Sequence, residues 1–392
     1  MSNCVKTTLG EVLTLQRGFD ITKKEQRPGQ VPVVSSSGIA SFHDEARSGS
    51  PGVVIGRKGS LGTVFFLDRP FWPHDTTLWV KDFKGNDPYF CYLLLKTLHL
   101  ADLDAGSSNP TLNRNHAHKL RVRRPSVGIQ RRIAAAVGAF DELIEINTRR
   151  IELVEDLARS LYREWFVQFR FPGREGIKRA DSELGSIPQG WSVVRFEEFA
   201  EVSTEGVDPS SFEAGIPYVG LEHLPRRRTT LQEWGSIDSV KSRKLRFVAN
   251  DTIFGKIRPY FHKVVLAPFD GLASSDAIIF RARPDLGFKA FVNAVASSDG
   301  LVAEAVATSN GTKMPRADHK ALLRYKMAVP DDLGLISTYE GVARPWLAWC
   351  ADQAKLNRQL AATRDLLLPR LVTGKLDISG IDLGVLTPAE TE

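Results

Sequence analysis

The sequence predicts an α+β protein: two mixed α/β globular units separated by two long antiparallel coiled-coil helices, in a pseudo-two-fold internal repeat. Three observations predict it. An apolar stripe with alternating spacings of four and three runs through Ile133, Val137, Phe140, Ile144, Asn147, Ile151, Val154, Ala158, Leu161 and Trp165, the pattern of a long helix with a coiled-coil seam. The rhythm returns in Val342, Trp346, Trp349, Gln353, Leu356, Leu360, Thr363 and Leu367. The segment ahead of each stripe also repeats. Gly56-Arg57-Lys58 after Val53-Val54-Ile55 is answered by Gly255-Lys256-Ile257-Arg258 after Thr252-Ile253-Phe254. Asp75-Thr76-Thr77-Leu78-Trp79 is answered by Asp276-Ala277-Ile278-Ile279-Phe280, and Ser108-Asn109-Pro110-Thr111 by Ser309-Asn310-Gly311-Thr312.

At 392 residues the chain suits two domains rather than one core. Its apolar share of 42% and charged share of 25% are those of a globular protein. The net charge of +6 favours a polyanionic partner. Three widely spaced cysteines, Cys4, Cys91 and Cys350, fit a reducing compartment. The N-terminus lacks a signal-peptide core, and no apolar run is long enough to span a membrane. A cytoplasmic location is expected.

Residues 1–125 form the first unit, with strands at Val31–Val34, Val53–Ile55 and Thr63–Leu67. A buried helix is expected from Tyr89 to Leu100, after Pro88 in its first turn. Residues 126–172 form the central long helix, capped by Ser126 and stopped by Phe171-Pro172-Gly173. From Ile133 to Trp165 it spans about 50 Å at 1.5 Å per residue. Residues 173–189 are polar and suit a linker. Residues 190–330 form the second unit, with one helical stretch from Phe291 to Ala307. Residues 331–378 form the distal long helix, headed by the capping-box pattern Ser337-Thr338-Tyr339-Glu340. Pro345 should kink it or delay its regular part, and Gly374 ends it. Residues 379–392 are a loose tail. Aligned 206 positions apart, Phe140 matches Trp346, Asn147 matches Gln353 and Leu161 matches Leu367, so a polar amide stands at one level of both seams. A polar seam residue fixes register at a cost in stability.

Catalytic motifs are missing. There is no phosphate-binding loop of the Gly-x-x-x-x-Gly-Lys-Ser/Thr type, no Gly-x-Gly-x-x-Gly turn and no Asn/Asp-Pro-Pro-Tyr/Phe run. His116-x-His118 lacks further ligands at workable spacing and reads as a polar loop; no metal site is expected. DNA-contact candidates are easier to find. Arg57, Lys58 and Gly59 join cations to a turn that lets a phosphate approach the backbone, and Lys256, Arg258 and Tyr260 hold the matching place. Asn109, Thr111, Asn113 and Arg114 can address base edges, as can Asn310, Thr312, Lys313 and Arg316. Arg226-Arg227-Arg228 and Lys241-Ser242-Arg243-Lys244 are further basic clusters. Phe71, Trp72 and His74 read as core and turn residues.

The layout resembles the specificity subunit of type I restriction-modification systems over nearly the whole chain. Ile129-Gln130-Arg131-Arg132-Ile133, Ile151-Glu152-Leu153-Val154 and Ala158 to Phe166 are similar to that family's central helix, and Leu366 to Leu376 to its distal counterpart. The Gln that follows Pro125 has no counterpart after Pro330, a departure from the pattern. The resemblance implies two target recognition domains, each reading one half of a bipartite asymmetric DNA target. It implies helices that set the spacer and dock partners through Phe140, Asn147, Ile151, Leu161, Trp165, Trp346, Gln353, Leu360 and Leu367. It further implies double-stranded DNA, two methyltransferase subunits and two restriction subunits as partners. S-adenosylmethionine, ATP and Mg2+ would be used by those partners and not by this chain. A stand-alone DNA-binding regulator is the main alternative.

Overall fold

A computed structural model describes residues 4–103, 111–311, 313–378 and 380. Helices and sheets divide between two compact units. The first comprises residues up to 143 and from 360 onward, and the second residues 144–359.

The first unit is built on a four-stranded antiparallel sheet in the order Thr14–Arg17, Thr77–Asp82, Gly52–Gly56, Val64–Leu67. Strand Gly52–Gly56 is buried along its whole length, as its unbroken apolar run requires. Gly52 has no alternative, because a Cβ there would lie 2.0 Å from the Phe71 ring. A three-stranded sheet (Gly38–His43, Val31–Ser35, Trp72–Pro73) lies beside it in the chain order. Helix Pro88–Lys96 begins with Asp87, whose side chain accepts from Phe90 N at 2.8 Å. The core joins Leu9, Val53, Ile55, Leu78, Phe90 and Leu94 to Ile133, Val137, Leu368 and Leu371 of the long helices.

The second unit repeats the four-stranded order with Ala200–Ser203, Ala277–Ala282, Thr252–Gly255 and Val264–Leu266. A five-stranded sheet accompanies it: Gly206–Val207, Lys244–Phe247, Gly271–Ala273, Pro217–Val219 and Gly235–Ser236. The expected helix Phe291–Ala307 is two helices, Lys289–Ala296 and Asp299–Ala307. Ser298 breaks the run because its hydroxyl caps the second, accepting from Leu301 N at 3.2 Å. The stretch read as a linker holds a hairpin, Arg179–Ser182 with Gly185–Pro188, whose alternation is too short to stand out against its charges.

The first long helix runs Val127–Tyr162, and Gln130 N donates to Ser126 O at 2.9 Å. It passes into a π-turn at Arg163–Val167, short of the Phe171-Pro172-Gly173 stop. The second runs Gly334–Val372 and continues through Pro345. Its head is earlier than the capping-box pattern suggested. Glu340 caps another helix instead, accepting from Ala290 N at 3.1 and 2.9 Å and from Phe291 N at 3.1 Å. A carboxylate is favoured there by the unpaired amides and the helix dipole. Gly374 ends the helix with φ +68°.

The first seam lies where its rhythm put it as far as Ala158, with Ile133, Val137, Asn147 and Ile151 buried and Phe140 half-buried. Beyond that Leu161 and Trp165 are half-buried, and Tyr162 and Phe166 take the inward places. The second seam is displaced by one residue. Ala343, Leu347, Cys350, Ala354, Asn357 and Leu368 are buried, whereas Trp346, Gln353, Leu360 and Leu367 are half-buried and Trp349 is 37% exposed. The same alternation of four and three fits either stripe. The apolar bulk of Trp346, Trp349 and Leu356 drew the reading to the wrong one, because the true seam uses small residues that allow close approach. In the second unit, Asn147 meets Asn357, Ile151 meets Cys350 and Ala354, and Ala158 meets Tyr339. The partner number falls as the other rises, so these segments run antiparallel. Burial pushes the Cys91 and Cys350 thiols up to about 12.

Candidate nucleic-acid interface

In the first unit the chain leaves strand Gly52–Gly56 and is held by a set of main-chain bonds. Arg57 N and Lys58 N donate to Thr76 O at 2.9 and 3.1 Å, Leu112 N donates to Arg57 O at 3.0 Å, and Lys58 bridges Thr111. Gly59 follows at φ +74°, a left-handed turn that a side chain would strain. The two predicted loops are thereby brought side by side. Arg57, Thr111, Asn113, Arg114 and His116 line one surface depression with Arg17.

Arg17 has no local sequence signal, since it closes strand Thr14–Arg17 far from the loops in sequence. Its guanidinium pairs with Asp75 at 3.0 Å, and Arg57 Nη1 donates to Asp75 O at 3.4 Å. Burial, then the Arg17 charge, lower the Arg57 pKa. Two guanidiniums thus converge on Asp75, Arg17 on its carboxylate and Arg57 on its main-chain oxygen; with Lys58 and Arg114 exposed nearby, an approaching phosphate meets surplus positive charge. Asn113 is exposed and already engaged as a helix cap, its Oδ1 accepting from Asn115 N at 2.9 Å. Asn109 lies outside the described residues. Asp20, His74 and Asp75 bring one potential ligand atom each within 4.8 Å of the others, but the Asp75 carboxylate is the one held by Arg17.

The second unit builds the same joint. Lys256 N donates to Asp276 O at 2.9 Å, Ala317 N to Lys256 O at 2.9 Å, and Ile257 bridges Arg316. Arg258 N donates to Pro315 O at 2.7 Å, with φ +50°. Its Nε is buried without a hydrogen-bond partner, and its guanidinium stands 6.0 Å from the Phe261 ring. Tyr260 is exposed, edge-on to Phe261 at 4.8 Å. Asn310 and Arg316 exchange backbone bonds of 3.0 and 2.9 Å, and Arg316 Nη2 lies 3.5 Å from Asp276 Oδ1. Lys313 is exposed; Thr312 lies outside the described residues.

The shared bonding corrects the correspondence between halves. Gly56 pairs with Thr77 and Gly255 with Ala277, so Asp276 answers Thr76 rather than Asp75. Arg57 answers Lys256, Lys58 answers Ile257, and Thr111 answers Arg316. Identity of residue type misled the alignment by one position at Asp75 and by four at Thr111.

Other singled-out clusters are absorbed by the fold. Arg228 reaches Asp156 Oδ1 at 3.0 Å and Glu155 Oε2 at 3.6 Å, and Arg227 pairs with Asp299 at 3.2 Å. Arg226 lies over Phe261 at 4.1 Å. Lys244 is buried and donates to Ser242 O at 2.9 Å, while Arg243 donates to Gly206 O at 2.7 Å. Phe71 and Trp72 are buried, and His118 accepts from Leu15 N at 2.9 Å. Among the described residues, no single helix is long and apolar enough to cross a membrane.

Residues 1–156 match the family model for the type I restriction modification DNA specificity domain. The chain is 25% identical over 339 residues to the type I restriction enzyme MjaIX specificity subunit of Methanocaldococcus jannaschii, covering 83% of this chain and 78% of that one. It is 23% identical over 302 residues to the EcoDI specificity subunit of Escherichia coli, covering 71% and 68%. Its fold is similar to the crystal structure of a type I restriction-modification S subunit from M. genitalium, with a TM-score of 0.62 at 14% identity over 96% of this chain and 97% of that one. Two like-built basic loop joints, on a chain with these relatives, lead to one likeness: residues 1–156 match the type I DNA specificity domain, and the chain over most of its length is similar to the specificity subunits of type I restriction-modification systems.

Proposed function

We propose that this chain reads a bipartite, asymmetric DNA sequence, one half-site with each globular unit, and does no chemistry itself. The observation that carries the reading is the joint built in both units from the same main-chain bonds, Arg57–Lys58 against Thr111–Leu112 and Lys256–Ile257 against Arg316–Ala317. A duplicated cationic joint suits two contacts to one polyanion, phosphates giving salt-dependent affinity and a few side chains the discrimination. Arg57, Lys58, Thr111, Asn113, Arg114, Lys256, Arg258, Tyr260, Asn310, Lys313 and Arg316 are the contact residues of this reading.

The long helices act as the ruler between half-sites and as the docking surface for partner subunits, within a pseudo-two-fold arrangement. Major-groove faces on one side of B-DNA recur about every 34 Å, within reach of helices of this length. Two methyltransferase subunits would use S-adenosylmethionine, and two restriction subunits ATP and Mg2+. The modest net charge of +6 fits a duplex gripped largely by those partners.

The test is single-molecule methylation sequencing of DNA from cells that co-express this chain and its partner methyltransferase. A two-part motif with a fixed gap, modified only when both are present, is the expected result. Absence of any motif from a co-purifying complex would overturn the reading and favour a stand-alone DNA binder.

A further inference from the structure

Beyond the apolar core it shares with Tyr162, Tyr339 and Leu347 and the Glu340 cap, the second globular unit touches the long helices at two further charged points that the recognition loops do not use. On the first helix, Glu155 is 2% exposed, and its Oε1 accepts from Thr229 N at 2.8 Å, from Thr229 Oγ1 at 3.2 Å and from Thr230 N. Arg228, next in the chain, holds Asp156 Oδ1 at 3.0 Å and the Glu152 carbonyl at 3.2 Å. Thr229 and Thr230 are in turn bonded to the sheet, since Leu266 N donates to Thr229 O at 2.9 Å and Thr230 bridges Leu266. Leu266 ends the strand paired with Thr252–Gly255, and that strand delivers Lys256 and Arg258. The path from helix to contact loop therefore crosses one loop and two strands.

On the second helix, Arg358 lies 4.0 Å over the Trp234 ring and donates to Trp234 O at 2.9 Å. Trp234 packs edge-on against Phe269 at 4.8 Å, at the margin of the core that includes Val219, Phe247 and Ile253. Trp234 directly precedes strand Gly235–Ser236 of the five-stranded sheet. The four-stranded and the five-stranded sheet are thus tied to different helices. The apolar core fixes the unit near the far ends of the helices, and the two polar ties restrain its sheets where the core does not reach.

Resting on the reading above, we propose that Glu155 and Arg358 are positioning residues which hold the second recognition unit in one pose on the helices, and so set how strictly the gap between half-sites is kept. A change of one base pair displaces a half-site by about 3.4 Å along the duplex. Sheets restrained by both ties reject that displacement, and sheets with one tie removed tolerate it better. The sequence does not repeat the device. At the offset of 210 that matches Asn147 to Asn357, Arg358 answers Thr148 and Glu155 answers Asp365.

The experiment is methylation sequencing with the full chain and its partner methyltransferase, comparing wild type with Arg358→Ala and Glu155→Gln. Arg358 is exposed, and the Gln variant keeps an acceptor for Thr229, so neither change removes the core. The expected result is an unchanged half-site sequence with about tenfold more methylation at sites one base pair longer or shorter than the wild-type gap. A lowered yield at one unchanged gap length in both variants would show a merely stabilising role and overturn the proposal. A wild type without a two-part motif would remove the underlying reading and this inference with it.

Discussion

Asn147 and Asn357 face each other across the two long helices of the second unit, with Asn147 Nδ2 donating to Asn357 Oδ1 at 3.0 Å in a buried setting. Asn357 Nδ2 turns to Thr148 Oγ1 at 3.2 Å and Ile144 O at 3.3 Å. The two amides stand 210 positions apart, and the same offset takes Gln130 to Glu340. Those two residues also share a task, each accepting from the backbone at the start of a helix in its own unit. The amide pair is a register lock, since a one-turn slip of either helix would strand both groups.

Single replacement of Asn147 by Leu should therefore destabilise the second unit by about 1–3 kcal/mol, the cost of leaving buried groups of Asn357 unpaired. Replacing both asparagines by leucine should recover most of that loss. Urea denaturation of the two variants checks it. A double variant no more stable than the single one would argue against a paired amide.

Gln130 is fully buried and spends its whole amide on three partners: Asp87 N at 2.9 Å, Asn86 Oδ1 at 2.8 Å and Pro125 O at 2.9 Å. Gln130→Ala should cost about 3 kcal/mol or more, because several buried groups lose partners together. Hydrogen exchange should speed up at Asp87 and through helix Pro88–Lys96. Unchanged protection there would show that the helix start does not depend on this side chain.

The displaced second seam is tested by neighbouring substitutions. Trp349→Asp, at a 37% exposed position, should leave stability within about 1 kcal/mol, while Cys350→Asp should cost several kcal/mol through a buried charge. Thermal melts of the two variants decide it, and the reverse order would restore the stripe through Trp349.

Acid should weaken both units. Burial is the main cause of lowered imidazole pKa values at His118 and His262, and the bond from Leu15 N to His118 Nε2 requires an unprotonated nitrogen. With folded values below the ordinary 6.5, the unfolded chain takes up these protons first. The stabilisation is full above about pH 6.5 and is lost as pH falls towards the folded values. His118→Gln, which keeps an acceptor for Leu15 N, should flatten part of the fall in melting temperature below pH 6.5. The same acid profile in wild type and variant would count against this assignment.

At the loop joint, Lys58→Ala should weaken DNA binding by the assembled complex and reduce the slope of log K against log salt by about 0.9, the share of one phosphate. Binding measured across a salt series gives the slope directly. An unchanged slope would place Lys58 off the duplex.

The strands at Val31–Ser35, Gly52–Gly56 and Val64–Leu67 were legible because apolar runs between turn residues have few other uses. So was the first seam to Ala158, and so were the two loops that meet at Arg57 and Thr111. What escaped has physical reasons. A heptad rhythm does not say which of two adjacent stripes faces inward, and the small residues of the true second seam look less apolar than Trp346 and Trp349. Arg17 joins the site through strand pairing with Leu78, a long-range relation invisible locally. Arg228 looked like a free cation because its acids lie about seventy positions earlier, on a helix whose outward face was unknown.

The joint that carries Lys58 and Thr111 in one unit carries Ile257 and Arg316 in the other, so a cation has crossed from one side of the bridge to the other. Peptide groups close the bridge in both units, and they are indifferent to what hangs from them. Recoding such a reader therefore needs no new scaffold. Two chains with superimposable backbones can answer to unrelated DNA words, and a backbone alone names none of them.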